Sequence, residues 1–97
     1  MTPSIGDTFV DCEGDYCYII SIDEDEENNQ EGMMINFVFA HSQKDMEEAM
    51  ADTDKLYALD SDRYSENALE RQLDEDEAHW VTLKPKNVPV KNWRDEF

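Results

Sequence analysis

Carboxylates are the side chains with the most chemical capacity in this sequence: 25 Asp and Glu stand against eight Lys and Arg and two His. Paired carboxylates can hydrolyse a bond, one acting as acid and the other as base or nucleophile. Here they are so abundant that no single pair is informative. Consecutive acids also suggest calcium, and an EF-hand loop needs oxygen ligands at positions 1, 3 and 5, Gly at 6 and Glu at 12. Counting from Asp23, position 6 is Asn28 and position 12 is Met34; counting from Asp52 or Asp60, position 12 is Arg63 or Arg71. Each candidate fails.

Cys12, Cys17, His41 and His79 lack the paired short spacings of a zinc site. His41, just ahead of a helix signal, and His79, beside Trp80, are expected as ordinary boundary residues. The chain has no phosphate-cradling Gly-rich loop, no G-x-S-x-G elbow and no Cys with a local His partner. No metal, no cofactor and no catalytic residue is therefore expected. Cys12 and Cys17 flank Glu13-Gly14-Asp15 and could face each other across a hairpin. Without a leader sequence, two reduced thiols packed as small hydrophobes are the expectation.

The elements that must position the acids follow from pattern. Thr8-Phe9-Val10 and Tyr16 to Ile22 are rich in β-branched and aromatic residues and are separated by the Gly14 turn, which predicts a hairpin. Asp23 to Gly32 contains no hydrophobic residue, and Met33 to Ala40 reads as a third strand after this acidic loop. Ser42, with Asp45 three residues on, opens a helix over about 43–54 whose packed face is Met46, Ala49, Met50 and Thr53. Ser65 opens a second over about 66–76 through Ala68, Leu69 and Leu73, with Trp80 continuing that apolar line. Leu56 to Leu59 fits a brief strand or a helical turn equally well. Trp80 to Leu83 suits a fourth strand, and Pro85 and Pro89 exclude a regular tail.

The expected fold is α+β: one domain over 1–97, with a small antiparallel sheet of three to four strands, two helices packed on one face and an irregular basic tail at about 84–97. Hydrophobic residues make up 39% of the chain, enough for a compact core. No apolar run approaches the roughly 18–20 residues of a membrane span, and no signal peptide is evident, so a cytoplasmic protein is expected.

The charge is lopsided. Residues 1–77 hold 23 acids and four bases, whereas residues 78–97 hold two acids and four bases. The net charge of −17 exceeds the magnitude of about 2–8 that keeps a small domain soluble. Like charge also weakens the compact state. Two causes compete: a partner with a basic surface, or a general adaptation such as life in high salt. On helix one, Asp45, Glu48 and Asp52 lie at i, i+3 and i+7, opposite the packed face. On helix two, Glu66, Glu70 and Asp74 recur every fourth residue, carboxylates about 5–6 Å apart. With Asp23, Glu24, Asp25, Glu26, Glu27 and Glu31 of the loop, these are the candidate partner-binding residues. Duplex DNA is itself a rod with about one negative charge per 1.7 Å of axis, which a rigid acidic protein can imitate. DNA is excluded as a ligand by repulsion.

In length, charge and the opening Gly6-Asp7-Thr8-Phe9-Val10 followed by Tyr16-Cys17-Tyr18-Ile19-Ile20, the chain resembles the short acidic DNA mimics encoded by phages. Within them it is similar to the anti-CRISPR inhibitors of the type I-F (Csy) surveillance complex. The resemblance implies a non-enzymatic inhibitor acting in the host bacterial cytoplasm. It would occupy the positively charged DNA-recognition site of Cas8f and neighbouring Cas7f subunits. Inhibitors of restriction enzymes, nucleases and uracil-DNA glycosylase look similar in the same sense. A halophile-type acidic domain and a carboxylate enzyme are the competing classes. The basic tail is expected to neutralise the protein's own acidic body or that of a second protomer, intramolecular neutralisation being the simpler account.

Overall fold

The hairpin forms where the turn residues demand it. β1 (Thr8–Val10) pairs with β2 (Tyr16–Asp23) antiparallel, with Phe9 opposite Cys17. The connection is built by Asp11, whose Oδ1 accepts the N–H groups of Glu13 and Asp15, both at 3.0 Å. Gly14 takes the positive φ of 83° that this turn needs. The computed structural model describes residues 3–24 and 32–85. Asp25, Glu26, Glu27, Glu31 and the tail beyond Pro85 lie outside the described residues.

β2 pairs in turn with β3 (Met34–Ala40), and a register shift between Ile19 and Ser21 interrupts the ladder. The bulge has a packing consequence. Strict alternation from Cys17 and Ile19 would send Ser21 into the core and Ile22 out. The extra residue at Ile20 reverses this, so Ile22 packs beside Ile35 while Ser21 faces Asn36 on the other side. After β3 come α1 (Gln43–Met50), α2 (Thr53–Ala58), β4 (Asp60–Ser65), α3 (Glu66–Asp74) and β5 (His79–Val81). The sheet is antiparallel throughout, in the order β4-β3-β2-β1-β5.

The α+β class is therefore as expected, with five strands and three helices among the described residues in place of three to four and two. The arrangement of the helices differs. β2 and β3 carry large apolar residues at both parities, so both faces of the sheet need cover. One face holds Phe9, Cys17, Ile19, Ile35 and Phe37 under Leu69 and Leu73 of α3. The other holds Val38 and Ala40 under Met46 and Ala49 of α1 and Leu56 of α2. The helices thus pack on opposite faces, not on one.

Two further boundaries differ for local reasons. The single helix expected over 43–54 is split. Asp52 takes an extended conformation and its Oδ1 accepts the N–H of Asp54 at 3.0 Å, which caps α2 and ends α1. The ambiguous Leu56 region is helical, within α2. Trp80 does not continue a helix line. It lies in β5 opposite Phe9, with ring centroids 5.8 Å apart.

β4 has no apolar pattern to announce it. Its sequence, Asp-Ser-Asp-Arg-Tyr-Ser, is mostly exposed, and only Tyr64 reaches the core, its ring tilted by 37° against that of Phe37 with centroids 5.0 Å apart. It is an edge strand, where charge discourages pairing with another chain. Asp62 Oδ1 also accepts the N–H of Arg63 at 2.8 Å, which occupies one of the donors along the strand.

Candidate functional site

α3 carries the expected acidic row, and its ends explain how. Ser65 Oγ accepts the N–H of Ala68 at 3.1 Å and starts the helix. Glu66 follows in the first turn, where the positive end of the helix dipole favours a carboxylate. Its Oε1 also accepts the N–H of Met33 at 3.3 Å, while its own N–H donates to Met33 O at 2.7 Å. Glu66 is thereby joined to the start of β3, across from which Asp23 pairs with Met34. Asp23, Glu24 and Glu66 thus gather at one end of the sheet, and Glu70 and Asp74 continue away along α3.

The far end of α3 is where acid is most costly. Asp74 is the last helical residue and Glu75, Asp76 and Glu77 follow directly. Negative charge there meets the negative end of the helix dipole, an unfavourable arrangement of about 0.3–1 kcal/mol per charge. The N–H of Glu77 donates to Gln72 O at 2.8 Å and that of Asp76 to Leu73 O at 3.2 Å. This is a Schellman ending, in which Gly usually supplies the left-handed residue. Asp76 supplies it instead, at a φ of 60°. Four consecutive acids occupy positions where stability alone would select Gly, Lys or Arg.

The acids of α1 and α2 stand on the opposite layer. Asp45 is exposed in the first turn of α1 and Glu48 is half-buried one turn on. Asp52 does not extend their row, because it is the cap of the next helix. Lys44 and Lys55 are interspersed on this layer. The two rows expected from sequence therefore do not form a single surface: the sheet lies between them.

A third group has no counterpart in the sequence pattern. Asp11 is buried, 5% exposed, although it is a carboxylate at the start of a turn. Its Oδ2 accepts the Tyr64 hydroxyl at 3.0 Å and so ties β4 to the β1–β2 turn. Asp15, on the same turn, accepts from the exposed His41 ring at 2.9 Å. That hydrogen bond and the charge of Asp15 raise the His41 pKa above its ordinary value. Burial, reinforced by the charges of Asp11 and Asp15, pushes the Cys17 thiol far up. Burial and the hydrogen bond to Asp11 do the same to Tyr64. Cys17 is thus held as a neutral thiol, a poor nucleophile, and both cysteines are free. The Asp11 turn could have been suspected from Asp-Cys-Glu-Gly-Asp, since Asp side chains bond backbone N–H groups two residues on. Its Tyr64 partner, on a strand without a pattern, left no signal.

Among the described residues, no three or more His, Cys, Asp or Glu side chains are grouped to hold a metal ion. Nor is any helix among them long and apolar enough to cross a membrane. What the surface offers is a field of like charge on both sides of a thin sheet. Its self-repulsion makes a direct prediction. Raising NaCl from 0.1 to 1 M shortens the screening length from about 10 to about 3 Å. The unfolding midpoint should then rise by roughly 5–10 °C, equivalent to about 1–2 kcal/mol. A flat or falling midpoint in differential scanning calorimetry would show that the acids do not strain the fold.

Compared with known protein families, curated proteins and solved structures, the chain matches none of them.

Proposed function

We propose that the protein is an inhibitor that presents the α3 layer as a mimic of duplex DNA and occupies the basic DNA-recognition surface of another protein. The observation that carries this reading is the run Asp74 to Glu77 at the C-terminal end of α3, with Asp76 in the left-handed position. Acids that oppose a helix dipole and replace the favoured Gly are a stability cost. A surface that must stay negative accounts for it. Together with Glu66 and Glu70, the run lines one side of the molecule with carboxylates along the full length of the helix.

On the resemblance to phage-encoded inhibitors, the partner is the site formed by Cas8f and Cas7f of the type I-F surveillance complex. Binding there would exclude target duplex by competition, driven by counterion release and long-range steering. No turnover and no direct nucleic-acid binding belong to this mechanism. The test is a titration of the purified protein against labelled target duplex on that complex. Competition is expected at 0.1 M salt, with the apparent affinity falling by about 100-fold or more at 0.5 M. Absence of competition at low salt removes the named partner. Competition that ignores salt removes the mimicry.

The same observation predicts a trade. Asp76→Gly relieves the left-handed strain and removes one adverse charge, so stability should rise by about 0.5–1.5 kcal/mol. Inhibition should weaken in the same variant. A protein that is both more stable and an equally good competitor would show that Asp76 has no part in the interface.

A further inference from the structure

We propose that the outer edge of β5 accepts an extended basic segment of a partner protein as an added strand. The inference concerns main-chain pairing and stands whether or not the α3 layer imitates DNA.

The direction of the free main-chain groups follows from the ladder on the other side of β1. The Asp11 N–H donates to Asp15 O at 3.1 Å and the Ile19 N–H to Asp7 O at 3.0 Å. Asp7, Phe9 and Asp11 therefore turn their N–H and C=O groups toward β2, because the direction alternates along a strand. Thr8 and Val10 turn theirs toward β5, where they face Val81 and His79. Trp80, opposite Phe9, points its own N–H and C=O away from β1. The Ala78 N–H has the same direction and is taken by Gln72 O of α3 at 3.0 Å. The N–H and C=O of Trp80 have no partner among the described residues. Beyond them Leu83 is buried in the α1/α2 cluster and the Lys84 N–H donates to Glu47 Oε2 at 3.2 Å, which carries the chain off the edge.

The two edges of the sheet differ. β4 is charged, and its Arg63 N–H is occupied by Asp62 Oδ1. β5, His-Trp-Val, has no Lys, acid or Pro, the residues that keep an edge from pairing. Trp80 is 39% exposed, with its ring edge-to-face against Phe9. A depression of about 410 Å³, lined by Asp7, Thr8, Trp80, Val81 and Leu83 among others, continues the edge past the end of β5.

Charge selects the occupant. Residues 74–83 hold four acids, Asp74 to Glu77, and no Lys or Arg, and Asp7 lies at the other end of the edge. A second copy of the chain would bring two like fields together, whereas a basic segment is drawn in. Trp80 lies on the α3 face of the sheet, beside Phe9. Side chains of an added strand alternate between faces. Lys or Arg at every second position would thus meet the acidic run and the open face of the Trp80 ring, with aliphatic residues on the Val81 side. The ligand class is an extended segment alternating basic and aliphatic residues, held by main-chain bonds at Trp80.

The test is a titration of the isotope-labelled full chain with a short blocked peptide of alternating Lys and Val at 0.1 M salt, followed by NMR. The Trp80 amide should shift most, and at a peptide concentration about tenfold above the dissociation constant its hydrogen exchange should slow by about tenfold. The same peptide N-methylated at its central main-chain nitrogens keeps its charge and side chains but cannot pair, and should bind about 10-fold more weakly or worse. A peptide of alternating Glu and Val should not bind. Trp80→Ala should weaken binding of the Lys peptide by about 10-fold; the N-methyl comparison, made on the unaltered chain, decides the matter if that variant unfolds. Equal binding of the methylated peptide, or shifts centred on Glu70 and Asp74 with Trp80 unmoved, would reduce the effect to charge and overturn the added strand. A Trp80 amide already protected in the dilute free protein would show the edge occupied, and one that shifts with protein concentration alone would assign it to a second copy; either result also overturns the proposal.

Discussion

Asp11→Ala should lower the unfolding midpoint by roughly 10–20 °C, a loss of about 3 kcal/mol, the largest effect expected of any single exposed or buried acid in this protein. The reason is the number of groups that this carboxylate satisfies. Its two oxygens take the N–H groups of Glu13 and Asp15 and the hydroxyl of Tyr64. Removing this side chain, itself 5% exposed, strips the acceptor from three donors; the exposed Glu13 N–H can turn to water, but the half-buried Asp15 N–H and Tyr64 hydroxyl each cost about 1–3 kcal/mol when left unsatisfied. Relief of self-repulsion offsets part of the loss, since one of many like charges is gone. Asp11→Asn separates the two contributions. Its carbonyl can still accept both backbone N–H groups, and its amide can donate to the Tyr64 oxygen, so a loss of about 1 kcal/mol is expected. If Asn and Ala were equally damaging in thermal unfolding, the negative charge itself, not the hydrogen bonds, would be what the turn requires. If neither were damaging, the link between the hairpin and β4 would be dispensable.

Neutralising the α3 row should weaken competition with duplex DNA by about 10- to 100-fold, at about 0.5–1 kcal/mol for each charge removed. The variant is Glu66→Gln, Glu70→Gln and Asp74→Asn together. Neutralising Asp45, Glu48 and Asp52 in the same way should change it by less than about threefold, because a charge across the sheet, beyond a screening length of about 10 Å, is little felt. The contrast follows from the sheet standing between the two layers. Amides preserve the local structure: Glu66→Gln keeps a side-chain oxygen for the Met33 N–H, and Asp52→Asn keeps one for the Asp54 N–H that caps α2. Unfolding midpoints should therefore hold or rise in both variants. Equal losses from the two triples would mean that the partner grips both layers at once. A loss confined to the α1/α2 triple would place the interface on the other side.

Elements with a local cause are legible in the order of the residues. The hairpin follows from β-branched and aromatic runs around Gly14. β3 follows from the run into Ala40, and β5 from the apolar residues after His79. Both longer helices start at the Ser residues expected, because Ser42 and Ser65 each accept the N–H three residues on. α3 keeps its acids in a row because they recur at helical spacing. Local chemistry also misleads where a rival local bond wins: Asp52, at the spacing of a third member of an acidic row, caps a second helix instead.

Contacts between distant parts of the chain set the rest. β4 is a strand because β3 offers it a partner and Tyr64 a place beside Phe37, although Asp-Ser-Asp-Arg carries no periodicity. The bulge at Ile20 decides which residues of β2 face which layer, and no spacing in the sequence marks it. Above all, the helices part to opposite faces because β2 and β3 are apolar on both. Helical periodicity fixes which side of a helix packs, but not which side of the sheet it packs on. Whether separate acidic rows make one surface or two is therefore a property of the packed molecule, set by residues far apart in the chain.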